Sequence, residues 1–277
     1  MTDFELRRLP DSPTLGGLLT LAFESLLVCS AEGKNPVATI LTSKTAVSLP
    51  ENLRTVAHAL GVEFVETTNK VVTNVPDYSF VNINKMIDRS GQFEGGLSWD
   101  EALVRSVQAK IKNLGGIPIA FHARTVSDNP EDFSSILTTE MITVLAGAEV
   151  QDLTVVVLGN NVPESLRGMA RVHVAEDEGW TLAEQLVASA LTKLFIGVAS
   201  GFCTAVMFSG SPYLVFKDPE QHAKTVSRDI GPGGLPRFVS TGQQFIRGVP
   251  NARLIFEAVR ANISQAYEQP PSSIGLL

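Results

Sequence analysis

Apolar positions along the chain fall into two alternating patterns. Short β-branched runs such as Val37 to Thr42, Ile117 to His122 and Leu153 to Leu158 are followed by longer segments whose apolar residues recur at helical spacing. That alternation is the signature of a mainly parallel sheet with helices on both faces, an α/β fold. Helices are expected over Leu15 to Ala31, Glu51 to Leu60, Asp100 to Asn113, Pro130 to Ala148, Thr181 to Thr192, Gly201 to Ser209 and Asn251 to Tyr267. Further strands are expected over Val62 to Val65, Ser79 to Val81, Arg171 to Val174, Leu194 to Ile196 and Tyr213 to Phe216. Phe4 to Leu9 makes a poor strand.

Ser98, with Glu101 three residues later, has the spacing of an N-cap and its capping-box partner at the start of the third helix. The polar, glycine-rich stretch Gly91 to Gly96 precedes it, and from Ile117 a second, more regular β/α series begins. These features divide the chain into residues 1–112, 113–250 and a final helix and tail, 251–277, with a cleft between the first two lobes. The tail from Gln269, with two prolines and two serines, is expected to fray.

Composition limits the partners. At 277 residues, 44% hydrophobic and 18% charged, the chain is long enough for two lobes or one large α/β domain. A net charge of -7 opposes a nucleic-acid groove or an anionic membrane surface, so no nucleic-acid partner is expected. Leu15 to Ala31 is interrupted by Glu24 and lacks a basic region or cleavage site before it, so it is expected to be a buried helix of a cytoplasmic protein. Cys29 and Cys203 fall inside apolar helical segments, which suits reduced core residues. His58, His122, His173 and His222 are far apart without metal-ligand spacing, and no metal is expected.

Three strand ends carry candidate chemistry: His122-Ala123-Arg124, Leu158-Gly159-Asn160-Asn161 and Gly197 to Gly201. In open α/β sheets ligands gather outside the carboxyl ends of parallel strands, so the three should converge on one rim. Ala199-Ser200-Gly201 opens a helix whose first N–H groups lack intrahelical acceptors. It suits either a phosphate seat or plain βαβ packing, with Thr204 one turn further in as support. The spacing from Gly197 to Gly201 is not the Gly-x-Ser-x-Gly of a nucleophile elbow, and neither a Walker loop nor a dinucleotide fingerprint occurs. Arg124 can grip phosphate oxygens or pair with Asp128, Glu131 or Asp132. His122 can donate to a leaving phosphate, act as a base or serve structure alone. Lys217 can neutralise a diphosphate or be a solvated strand-end lysine. Glu176-Asp177-Glu178 suits a solvated loop, and the loop around Gly231 to Gly234 suits either a cover for a ligand or a surface connection.

From Ile117 to Asn262 the chain resembles the nucleotide-sugar-binding half of GT-B glycosyltransferases, especially bacterial surface-polysaccharide enzymes with a fucosyltransferase-like or heptosyltransferase-like C-terminal domain. The resemblance rests on His122-Ala123-Arg124, on Val155 to Gly159, on Phe195-Ile-Gly-Val-Ala-Ser200-Gly201 and on Gly210-Ser211-Pro212, in that order. Leu15-Gly16-Gly17-Leu18-Leu19 stands where the family's first lobe has a glycine-rich turn. The resemblance implies two Rossmann-like lobes, the first short and on the acceptor side, and a final helix that crosses back onto the first lobe. It also implies a nucleoside-diphosphate sugar as donor and a glycan or lipid-linked acceptor, through which any peripheral membrane association would come. Ser200, Gly201 and the following backbone at Phe202 would touch the diphosphate, with Gly159 and Asn160 on the same rim and Arg124 and Lys217 offsetting its charge. His122 and Asp128 would be the catalytic candidates, with no cofactor or metal beyond the donor. An epimerase of the same fold and a non-catalytic nucleotide- or partner-binding protein are the alternatives.

Overall fold

The computed structural model describes residues 4–9, 14–32, 36–41, 50–67, 97–123, 132–160, 162–220 and 242–266. Parallel strands need long crossovers, and helices supply them in both halves of the chain. The first sheet has the order β1 (Phe4–Leu9), β2 (Pro36–Leu41), β3 (Glu63–Thr67), all parallel. Helix α1 (Leu15–Glu32) joins β1 to β2, and α2 (Glu51–Ala59) joins β2 to β3. Phe4 to Leu9 is thus a strand after all. Among the described strands it pairs with β2, and its register with β2 shifts between Glu5 and Arg8. The strand expected over Ser79 to Val81 lies outside the described residues.

The second sheet is six-stranded and parallel throughout. Its strands are β4 (Ile117–His122), β5 (Leu153–Val157), β6 (Val172–Val174), β7 (Phe195–Val198), β8 (Tyr213–Lys217) and β9 (Gln243–Arg247), in the order β6-β5-β4-β7-β8-β9. β5 and β7 are buried along their whole length, as befits strands covered on both faces. Helix α3 (Glu101–Leu114) leads into the sheet, while α4 (Phe133–Leu145), α5 (Leu182–Leu191) and α6 (Gly201–Met207) lie in its crossovers. The cap of α3 is Asp100, whose side chain accepts from Leu103 N–H, and Glu101 instead pairs with Arg105. The reciprocal capping box is on α5, between Thr181 and Glu184.

Glu184 also receives Lys110 Nζ of α3 at 2.6 Å, and that ammonium lies 5.2 Å from the Trp180 ring centre. Burial pushes the Glu184 carboxyl up, but the hydrogen bonds from Lys110 and Thr181 outweigh it and hold the group below its usual range. The start of α5 is therefore pinned from two directions.

One apolar core lies between α4 and the sheet and is completed by α7 (Ala252–Ala266), where Leu137 and Met141 share a cluster with Ile255 and Val259. The Glu140 side chain of α4 accepts the Ala252 N–H at 2.6 Å. The described final helix therefore packs within the second lobe rather than crossing to the first, because its buried residues match α4.

The other core joins the lobes. Leu18, Leu19 and Phe23 of α1 and Val56 of α2 share it with Val104, Leu186, Val206 and Phe208. Phe23 and Phe208 stack with ring centres 4.0 Å apart and planes 13° from parallel. Where a cleft was expected, the described helices of the two lobes form a packed seam. The cause is visible in α1, which is apolar over most of its surface and needs cover beyond its own sheet.

Candidate functional site at the switch point of the second sheet

In the second sheet β5 and β6 lie to one side of β4, and β7, β8 and β9 to the other. The strand order therefore reverses between β4 and β7. Ligands of doubly wound sheets bind outside the carboxyl ends at such a point, because adjacent strands there send their chains to opposite faces and leave a crevice. His122 ends β4 and pairs in register with Gly197 of β7; Ser200 follows β7 and caps α6. Across the switch point His122 Nδ1 and Ser200 Oγ are 3.2 Å apart.

The imidazole is closely enclosed. His122 is 6% exposed, and its ring stacks on Phe202 at 4.5 Å between centres and 28° between planes. Gly159, just past β5, has φ +99°, and a Cβ there would fall 3.0 Å from Cδ2 and 3.1 Å from Nε2 of His122. Only glycine combines that backbone with that closeness. The Gly159 N–H donates to Gln185 Oε1 at 2.8 Å, and Gln185 Nε2 donates to the Trp180 carbonyl at 3.0 Å.

Ser200 Oγ accepts the Cys203 N–H at 3.4 Å, and Thr204 Oγ1 donates to the Ser200 carbonyl at 3.3 Å. Burial pushes the Cys203 thiol up to about 12, against the opposing pull of the Ser200 hydrogen bond and the Lys217 charge. The thiol is thus a neutral core group. Lys217 ends β8, the strand paired with β7.

Of the residues singled out from the sequence, His122, Gly159, Ser200 and Phe202 meet in one cluster, and Lys217 ends the neighbouring strand. Asn160 is exposed beside Gly159. Gly201 and Thr204 stand at the same helix start but face the seam. A Cβ on Gly201 would lie 2.8 Å from Leu15 Cδ2 and 2.9 Å from its Cβ and Cγ, and a Cβ on Gly16 would lie 3.2 Å from Thr204 Oγ1. Arg124, Asp128, Glu131 and the Gly231 to Gly234 loop lie outside the described residues. The acidic group after β6 is engaged locally: Arg167 pairs with Glu176 at 3.6 Å and also with Asp177, and His173 Nδ1 lies within hydrogen-bond distance of Glu178, at 2.9 Å. Gln185 was missed, although a single amide just ahead of the small and apolar run Leu186 to Ala190 was a usable signal.

Two Rossmann-like units with parallel sheets, the first short, define a fold of the GT-B class. Among solved structures the chain is similar to the bacterial iron-containing dodecameric glycosyltransferase TibC from enterotoxigenic E. coli H10407. That match covers 96% of this chain and 80% of the other at 11% identity, with a TM-score of 0.50. It is also similar to a glycosyl transferase family 9 structure from Veillonella parvula DSM 2008, over 95% of this chain and 98% of the other at 11% identity, with a TM-score of 0.51. At these identities the likeness is one of fold. No protein-family model matches the chain, and no curated protein matches it. Among the described residues no group of three or more His, Cys, Asp or Glu side chains is placed to hold a metal ion. Nor is any described helix long and apolar enough to cross a membrane.

Proposed function

We propose that this chain is a glycosyltransferase that moves a sugar from a nucleoside-diphosphate donor to a glycan or lipid-linked acceptor, in surface-polysaccharide synthesis. The observation that carries the reading is the His122–Ser200 contact across the β4/β7 switch point, with Lys217 ending the neighbouring strand β8. Glycosyl transfer breaks the bond from the anomeric carbon to the phosphate oxygen and forms one to an acceptor oxygen. The charge that develops on the leaving diphosphate must be stabilised where it appears. The Ser200 hydroxyl, the backbone at Gly201 and Phe202, Lys217 and Arg124 are the proposed diphosphate contacts, with Gly159 and Asn160 at the rim. His122, set by Ser200 on its Nδ1 edge, orients or protonates the leaving phosphate. Asp128 is the proposed base that takes the acceptor hydroxyl proton.

Titration calorimetry of the full chain with UDP, ADP, GDP and dTDP tests the reading. Saturable binding of at least one is expected, weakened about tenfold, or 1.4 kcal/mol, by Lys217→Ala. A folded chain that binds none of them would overturn it. Incubation with the matching sugar nucleotide, without acceptor, separates transfer from epimerisation by product analysis.

A further inference from the structure

We propose that Gln185 is a positioning residue for the proposed transfer: buried on α5, it fixes the His122 ring through the backbone of Gly159. The inference rests on the functional reading above for its relevance to catalysis, and on geometry alone for the positioning itself. Gln185 is 3% exposed. Its amide ties together two loops at the carboxyl edge of the sheet, accepting from Gly159 N–H and donating to the Trp180 carbonyl. The amide orientation is unambiguous, because a backbone N–H only donates and a carbonyl only accepts. Its base is firm, since the adjacent Glu184 is bound by Lys110 and by the capping box.

Among the described residues, three meet the ring. Ser200 meets Nδ1, Phe202 covers a face, and Gly159 lies against the Cδ2–Nε2 bond. Ser200 and Phe202 sit on α6, so they move together. Of these three, Gly159 is the independent one, on a backbone with positive φ that Gln185 holds by a 2.8 Å hydrogen bond. Loss of that bond would leave a buried N–H unpaired and let the residue shift. A shift of the Gly159 backbone would change the space left for the ring, and a group that must meet a phosphate oxygen loses effect when misplaced.

The test is a long-range proton–nitrogen correlation spectrum of the histidine rings in the labelled full chain, with His122→Gln used to assign the His122 signals. Gln185→Met keeps the length of the side chain and removes both hydrogen bonds. The expected result is displaced His122 ring-nitrogen signals with those of His58 and His173 unmoved, and about tenfold weaker nucleoside-diphosphate binding. Gln185→Glu keeps the acceptor for Gly159 and should displace the ring signals less. Unmoved His122 signals in folded Gln185→Met would overturn the proposal. Should that variant fail to fold, Gly159→Ala, which sets a methyl against the ring, must move the same signals, and their constancy would overturn it equally. A chain that binds no nucleoside diphosphate would sink the proposed function, while the ring signals still decide the role of Gln185.

Discussion

The seam between α1 and α6 and the rim above β4 and β7 meet at a single step in the chain, from Ser200 to Gly201. On the seam side, contact is a matter of shape. Leu15 fills the space a side chain on Gly201 would need, and Phe23 lies flat on Phe208 two turns further along. Because Leu15 meets Gly201 and Phe23 meets Phe208, the two helices run in the same direction from adjoining starts. On the rim side, contact is a matter of polar placement, with Ser200 on His122 and the Gly159 N–H on Gln185. The small-residue turn Ala199-Ser200-Gly201 therefore combines two roles. Its glycine lets the lobes close on each other, and its serine meets His122 across the switch point.

That division can be broken from either side. The largest loss of stability is expected from Gly201→Ala. Alanine would ordinarily gain up to about 1 kcal/mol over glycine in a helix. Here the added Cβ falls 2.9 Å from the Cβ of Leu15, an atom next to the backbone that cannot swing away. Overpacking of about 1–3 kcal/mol should outweigh the gain, seen as a lower urea midpoint, and Leu15→Ala should recover part of the loss. Recovery would show that the seam, not the ligand, sets the need for glycine.

Ser200→Ala should have the smaller effect on stability, about 1 kcal/mol for a lost N-cap. Its effect on nucleoside-diphosphate affinity should be about tenfold. A variant that lost stability but bound as tightly as the parent would reduce Ser200 to a cap. The pair of substitutions thus reads the seam by unfolding and the rim by binding.

Most of the second lobe was legible because β4, β5, β7 and β8 are covered on both faces and read as apolar runs. β9 was not, since Gln243 is buried and Gln244 exposed, so its inward positions do not all look apolar. Gln243 can be buried because its Nε2 donates to the Ser211 carbonyl, a partner 32 positions away. β1 was hidden for a related reason, as Glu5, Arg7 and Arg8 break the apolar alternation of a half-buried strand. His122, Gly159 and Ser200 were legible as strand ends. The support from Gln185 was not, because it depends on which side of α5 turns inward. Nor was the Leu15–Gly201 contact, which joins residues from different lobes. The place of α7 followed from the match of its apolar stripe to α4, which a single sequence does not display.

The most direct measurement is a map of backbone amide shifts on adding whichever nucleoside diphosphate binds. With the diphosphate at the β4/β7 switch point, the largest changes fall on Gly159, Ser200, Phe202 and Lys217. Changes confined to the amino ends of the strands or to the β9 edge, with Gly159 and Ser200 unmoved, would contradict it.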